Sequence, residues 1–386
     1  MSKPHPERVL FLIDSLGMGG AERMLVNYLQ HLDTNRYQPR VCVFWVRDGN
    51  PIAAEIEQLG IPVDLIPVSG IRDCKCVASL VGYLRRHQIG LVHTQLETVT
   101  VHGGIAAKIL GIPAIHTLHT FAYPNATARE ILRSKVTWFA LRNFHDQVIA
   151  VSAAVGEYAI AEGRVPREKI TVLYNGIDTG YFRRGSDIDR AAVRKAFGIP
   201  LNAALVVTVA VLRREKGIQY LIEAWPKILE SVPKAYYLIV GAGPYEDQLK
   251  SLAATYQLTD RVLFAGARSD IPAILGSSDL FVLPTLDDVL PTVLAEAMAS
   301  GLPIIASRVG GVPEMVEHGR NGLLIQPGDP AQLAAACVRL LRAPDEARRL
   351  GQGGLAVAEA RFNVRKQVQE LENTYRALLE RQRSSC

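Results

Sequence analysis

Short apolar runs alternate along the chain with longer segments in which apolar residues recur every three or four positions, the pattern of buried strands covered by helices. In the first half the runs fall at residues 8–14, 38–45, 62–66, 91–94, 113–117, 148–152 and 170–174, with helical stretches such as 77–87 and 101–110 between them. After a polar stretch near residues 181–189 a second series begins, with runs at 204–211, 236–240, 261–265, 280–284, 303–306 and 322–325. Strands that alternate with helices are joined by right-handed crossovers and form parallel sheets, so the pattern predicts two α/β domains in succession. A length of 386 residues agrees with two domains, because single hydrophobic cores rarely grow that large.

Residues 280–307 concentrate the candidate chemistry. A strand ends at Pro284, an acidic loop carries Asp287 and Asp288, and a helix opened by Pro291 and closed by Gly301 leads into the next strand. The N–H groups left unpaired at such a helix start, beside Leu290, Pro291 and Thr292, favour an anion such as phosphate. Asp288 before the helix and Glu296 inside it bracket that point. Ionised carboxylates only accept hydrogen bonds, which suits them to sugar hydroxyls better than to phosphate. Helix propensity for Glu296 and loop solvation for Asp288 account for the same residues without a ligand.

Other candidates also follow strand ends. In Ser15-Leu-Gly-Met-Gly-Gly-Ala-Glu22, Gly17, Gly19 and Gly20 let backbone approach a ligand, but the spacing is not the Gly-x-Gly-x-x-Gly of dinucleotide folds, which counts against NAD. His119 follows the run at 113–117, where a neutral imidazole can donate to a sugar hydroxyl and a merely exposed or capping role is the plainer use. Arg213, Arg214 and Lys216 follow the run at 204–211, where a cation can face diphosphate.

The string from Asp288 to Ile304 resembles the signature of the retaining glycosyltransferases of family 4, two Glu separated by seven residues and then Ala-Met-Ala-x-Gly-x-Pro-Ile. Glu296 is the second Glu, and Asp288 stands where the family has the first. The Gly-Gly-Ala-Glu run and the Lys-Gly at Lys216 are similar to other loops of the same family, and the resemblance covers nearly the whole chain. It implies the GT-B architecture, an α/β fold of two facing Rossmann-like domains with a cleft between them. Residues 1–178 would form the acceptor-side domain, 179–361 the nucleotide-sugar domain, and a helix over about 362–386 would pack back on the first. By resemblance Glu296 binds ribose hydroxyls, Asp288 and His119 contact the transferred sugar, Lys216 neutralises the leaving diphosphate, and Gly19 and Gly20 face the donor. Ala210 and Val211 occupy the family's Gly and Arg positions, and Arg213 or Arg214 is the candidate to replace that Arg. The implied activity is transfer of a sugar from a UDP- or GDP-linked donor to a hydroxyl on a glycan or lipid-linked acceptor, with no metal and no cofactor. A nucleotide-sugar epimerase of the same architecture and a non-catalytic sugar-nucleotide-binding protein are the alternatives.

Composition narrows this picture in a few places. Five scattered Cys suit a reducing compartment, and neither they nor the histidines stand at metal-ligand spacing. The apolar run after Arg8 is too short for a signal peptide or a membrane span, so a cytoplasmic location is expected. The net charge of +5 lacks the basic stripe that nucleic acid requires. Residues 128–144 form a basic amphipathic helix, with Arg129, Arg133, Lys135 and Arg142 among Ile131, Leu132, Trp138, Phe139 and Leu141. Such a helix covers a sheet or rests peripherally on the inner face of a membrane.

Overall fold

The computed structural model of the chain describes residues 6–17, 19–47, 49–120, 127–182 and 187–385. The chain divides into two compact units, one running to Gly176 and resumed from Val364, the other Ile177–Asn363. The first unit contains β1 (Glu7–Ile13), α1 (Gly20–His31), β2 (Tyr37–Val43), α2 (Pro51–Gln58), β3 (Val63–Leu65), α3 (Cys74–Arg86), β4 (Leu91–Gln95) and α4 (Glu97–Leu110). It continues with β5 (Ala114–Leu118), α5 (Ala128–Phe144), β6 (Gln147–Ala150), α6 (Ala153–Ala161) and β7 (Ile170–Val172). The second unit contains α7 (Asp187–Ala196), β8 (Ala204–Val209), α8 (Ile218–Ser231), β9 (Ala235–Val240), α9 (Glu246–Thr255), β10 (Val262–Gly266) and α10 (Ile271–Ser277). It ends with β11 (Leu280–Leu283), α11 (Thr292–Ala299), β12 (Ile304–Ser307), α12 (Val312–Met315), β13 (Leu323–Ile325), α13 (Pro330–Arg342) and α14 (Pro344–Val357). The last helix, α15 (Val364–Ser385), returns to the first unit.

The first sheet has seven parallel strands in the order β3-β2-β1-β4-β5-β6-β7, and the second has six in the order β10-β9-β8-β11-β12-β13. Helices on both faces explain why β1 reads as an unbroken apolar run. Val9, Phe11 and Ile13 enter one core with α1 and α15, while Leu10 and Leu12 enter another with α3 and α4. Val364, Val368, Leu371, Tyr375 and Leu378 of α15 recur every three or four residues and join the first of these cores. In the second unit Trp225 stacks on Tyr237 at 5.1 Å. There the fully buried Arg194 donates to Asp279 at 2.7 Å and to the Ala203 carbonyl at 2.6 Å, tying α7 to the sheet.

Helix α5 starts at a capping box of Thr127 and Glu130 and packs on α4. Its use is divided. Thr137, Ala140 and Leu141 are buried and Trp138 meets Tyr158 edge to face, whereas Leu132, Lys135 and Phe139 form an exposed stripe with Ile131 beside it. Among the described residues no helix is long and apolar enough to cross a membrane.

Polar side chains inside the first sheet pair with one another. His93 shares hydrogen bonds with Tyr375 Oη at 2.6 Å and Thr117 Oγ1 at 2.7 Å, and Thr94 Oγ1 bridges His116 Nδ1 at 3.0 Å and His145 Nε2 at 3.1 Å. Burial holds these rings neutral, pushing His93 down to about 3 and His145 to about 4, with His116 well below the ordinary value. The unfolded chain takes up these protons once pH passes below the ordinary histidine value, so the stabilisation is complete above that point and declines toward the folded values. Asp14 and Glu296, raised by burial to about 6 and about 7, act in the opposite sense, as do smaller rises at Glu22 and Asp288, but His119, pulled to about 4, adds a fourth ring on the other side, and the four rings span the wider pH range. The urea midpoint is therefore expected to fall as pH drops from about 6.5 to about 4, each ring removing on the order of 1 kcal/mol of unfolding free energy per pH unit. A midpoint that stays level from neutrality to pH 5 would contradict this account.

Candidate active site

In open parallel sheets ligands bind outside the carboxyl ends of strands where the strand order reverses. In the second unit that point lies between β8 and β11. The chain leaving β8 makes a single 3-10 turn, Arg214–Lys216, and enters α8 through Gly217 at φ +67°. A Cβ on Gly217 would lie 1.9 Å from the Pro284 carbonyl oxygen, so only glycine lets this turn press on the end of β11. The contact is stitched by Leu286 N donating to the Glu215 carbonyl at 2.7 Å, with Thr285 Oγ1 at 3.1 Å from the same oxygen. On the other side Gly310, at φ +46°, would place a Cβ 1.8 Å from the Asp288 carbonyl oxygen, which accepts from Gly311 N at 3.2 Å.

Between these turns Lys216 Nζ meets Asp288 Oδ2 at 2.6 Å, joining two residues that the sequence separates by 72 positions. The pair is largely covered, the Lys216 and Asp288 side chains being 24% and 15% exposed. Burial raises the Asp288 carboxyl above the ordinary range, and the Lys216 ammonium opposes that rise. Glu296 is partly buried on α11, and its carboxylate makes no hydrogen bond or ion pair among the described residues; burial alone lifts it to about 7. Leu290 and Pro291 are buried at the start of α11. The structure corrects one boundary here: Pro291 is the N-cap, at φ −70° and ψ 103°, and the first helical residue is Thr292. Arg213 is exposed, 3.8 Å from Glu215, and Val211 beside the turn is exposed as well.

The first unit reverses its strand order between β1 and β4. Gly19 is the N-cap of α1, where a Cβ would lie 2.2 Å from the Glu22 carboxylate, and Gly20 opens the helix with nothing within 4 Å of a Cβ. Met18 lies outside the described residues. Asp14 accepts from Val99 N at 3.0 Å and Thr98 N at 3.4 Å, capping α4 from within the sheet. Arg133 is 2.8 Å from Glu97 and 3.7 Å from Asp14, and it donates to Thr98 Oγ1 at 2.6 Å. It thus ties α5 to the start of α4, while Lys135 of the same helix faces outward. Leu96 holds φ 74° and ψ 177°, a conformation found almost only in glycine. His119 is partly exposed, its Nε2 is buried without a partner, and burial keeps the ring neutral by pulling it to about 4.

Sequence spacing missed the Lys216–Asp288 contact and the Asp14–Arg133–Glu97 cluster. Only the charges at strand ends and helix starts hinted at either. Among the described residues no group of three or more His, Cys, Asp or Glu is arranged to hold a metal ion.

Gly310→Ala is expected to shift the acidic loop and lower stability by about 2 kcal/mol or more, because the new methyl meets backbone that has no room to yield. Denaturant titration measures it, and a loss below about 0.5 kcal/mol, the usual surface value, would show that the loop is not clamped there.

Residues 18–181 match the family model for Glycosyltransferase Family 4, and residues 189–356 match that for Glycosyl transferases group 1. The UDP-Gal:alpha-D-GlcNAc-diphosphoundecaprenol alpha-1,3-galactosyltransferase of Escherichia coli is 32% identical over 280 residues, 71% of this chain and 72% of that protein. The structure is similar to Anabaena HepE in complex with UDP, with a TM-score of 0.86 and 27% identity, covering 96% of this chain and 100% of that one. WaaG, a glycosyltransferase involved in lipopolysaccharide biosynthesis, shares the fold at a TM-score of 0.74 and 16% identity. Two parallel-sheet units of this kind match GT-B structures, and the chain belongs to the group 1, family 4 glycosyltransferases.

Proposed function

We propose that this glycosyltransferase is a retaining enzyme that moves a hexosyl group from a UDP-sugar to a hydroxyl of a lipid-linked glycan acceptor without using a metal ion. Glu296 carries the reading. A carboxyl that is partly buried, has no side-chain partner among the described residues and is raised to about 7 on the helix that follows the acidic loop is poorly explained as packing, and well explained as the acceptor of two ribose hydroxyls. The relatives support the donor and acceptor classes: the Escherichia coli protein uses UDP-Gal and a diphosphoundecaprenol-linked sugar, and HepE binds UDP and UDP-glucose.

The chemistry follows from the charges. The glycosidic carbon–oxygen bond breaks toward the diphosphate, whose growing charge meets Lys216 and the unpaired N–H groups at the start of α11. The acceptor oxygen bonds to the anomeric carbon on the face the diphosphate leaves, and its proton passes to the departing phosphate oxygen. No enzyme nucleophile is needed. Lys216 must turn from Asp288 toward the phosphate, leaving Asp288 to a hydroxyl of the sugar. The stripe of Leu132, Lys135 and Phe139 on α5 is the face that would rest on an anionic membrane holding such an acceptor.

The direct test incubates the protein with UDP-galactose, UDP-glucose or UDP-N-acetylglucosamine and a short-chain N-acetylglucosaminyl diphosphate lipid in EDTA. Release of UDP with an α-linked product is expected. An epimerised donor with UDP still attached would instead mark an epimerase, and donor binding without turnover a binding protein.

Glu296→Gln should weaken UDP roughly tenfold at pH 8, where the wild-type carboxylate is ionised. Wild-type affinity should decline as pH falls through about 7 and Glu296 takes up a proton, and calorimetry of the Gln variant should lack that inflection. Lys216→Ala should cost turnover roughly 100- to 1,000-fold and also weaken UDP. Asp288→Asn should lower turnover yet leave UDP affinity intact, since it frees Lys216; equal loss of UDP affinity in both variants would reverse these assignments.

A further inference from the structure

Three buried side-chain atoms at the carboxyl ends of β4 and β5 have no hydrogen-bond partner among the described residues: Oε1 and Nε2 of Gln95, and Nε2 of His119. The contrast with their neighbours is sharp. His93, Thr94, His116 and Thr117, the other polar side chains of the two strands, are all paired. Strand alternation puts Gln95 on the face of His93 and Thr117, and the register sets it opposite Thr117. His119 lies two residues beyond Thr117, roughly 7 Å farther along at the usual rise per residue. It is near enough to His93 for the two rings to interact electrostatically. The next residue after Gln95 is Leu96, whose backbone is held in its glycine-like conformation at the same point.

A fully buried amide with neither its donor nor its acceptor used is costly, since water would satisfy both in the unfolded chain. That cost falls where the strand order reverses, the position at which open sheets take ligands. The chemistry of the unpaired atoms selects the ligand. An amide offers one acceptor oxygen and two N–H donors, and neighbouring ring hydroxyls offer the complementary set. A phosphate is disfavoured, because Oε1 would face its oxygens and burial keeps the His119 ring uncharged. We propose that Gln95, beside the His119 that the family resemblance already sets against the sugar, is a further sugar-hydroxyl contact of the first unit and determines which sugar is accepted. The inference rests on the glycosyltransferase reading and extends it to the carbohydrate.

Gln95→Met, close in volume and apolar, is the deciding variant. Removal of the unsatisfied amide should raise the melting temperature of the ligand-free protein by about 2 °C or more. Recognition should fall at the same time. If the ring belongs to the donor, the preference for the favoured UDP-sugar over bare UDP drops roughly tenfold or more, with UDP affinity within twofold of wild type. If it belongs to the acceptor, that preference holds and KM for the short-chain N-acetylglucosaminyl diphosphate lipid rises by the same factor. Gln95→Asn retains the amide one methylene short, and should lose recognition without the gain in stability. Both preference and KM within twofold of wild type would overturn the inference, as would an ordered water occupying both amide positions in a sugar-bound crystal structure. A wild-type chain that binds no UDP-sugar defeats the glycosyltransferase reading instead; the melting temperature then decides, and a fall on Gln95→Met shows that the amide is paired within the protein.

Discussion

The acidic loop of the second unit keeps its place because backbone presses on backbone from two sides, at Gly217 and at Gly310, each too close to its neighbour to admit even a methyl group. Side chains could not hold a charged loop there as firmly, since their contacts yield by rotation while carbonyl oxygens against main chain do not. With the loop fixed, Asp288 loses much of its hydration and takes Lys216 as partner. The same confinement leaves Glu296 on the next helix without compensation. Two carboxyls a short distance apart in sequence thus acquire different characters, one paired and one waiting, through environment alone.

The two strand-order reversals differ in their electrostatics. The second unit offers a cation, a helix start and carboxyls, the complement of a phosphorylated nucleoside. The first offers neutral imidazole and amide beside two buried carboxyls, Asp14, occupied in capping α4, and Glu22 in the first turn of α1. A polyanion would find little at the first reversal, and an uncharged polyol would find a good deal.

Much of this was legible in the chain. Apolar runs alternating with helical periods are enforced by burial on both faces of a parallel sheet, so strand positions and fold class followed directly. Asp288 and Glu296 were visible because they flank a Pro-opened, Gly-closed helix between strands; the start shifted by one residue because Pro291 keeps an extended ψ. The Lys216–Asp288 contact was not legible, for it depends on which strands become neighbours, a property of the sheet and not of either segment. The partners of Arg133 were not legible for a related reason: periodicity gives the face of a helix, but α5 meets α4 and its acids only after the sheet has formed. Gln95 carried no signal at all, since a glutamine ending a strand becomes informative only once every neighbour is seen to be paired.

The return of α15 to the first unit has a consequence for the order in which the protein takes shape during synthesis. Tyr375 reaches His93, the Tyr37 hydroxyl donates to the Glu372 carbonyl at 3.1 Å, and Val364, Val368 and Leu371 complete the core begun by β1 and α1. None of the α15 residues in these contacts has left the ribosome when β7 emerges, whereas everything in Ile177–Asn363 is contiguous. The part translated second can therefore close its core first, and the part translated first must wait, with one flank of its sheet uncovered, until the final helix arrives.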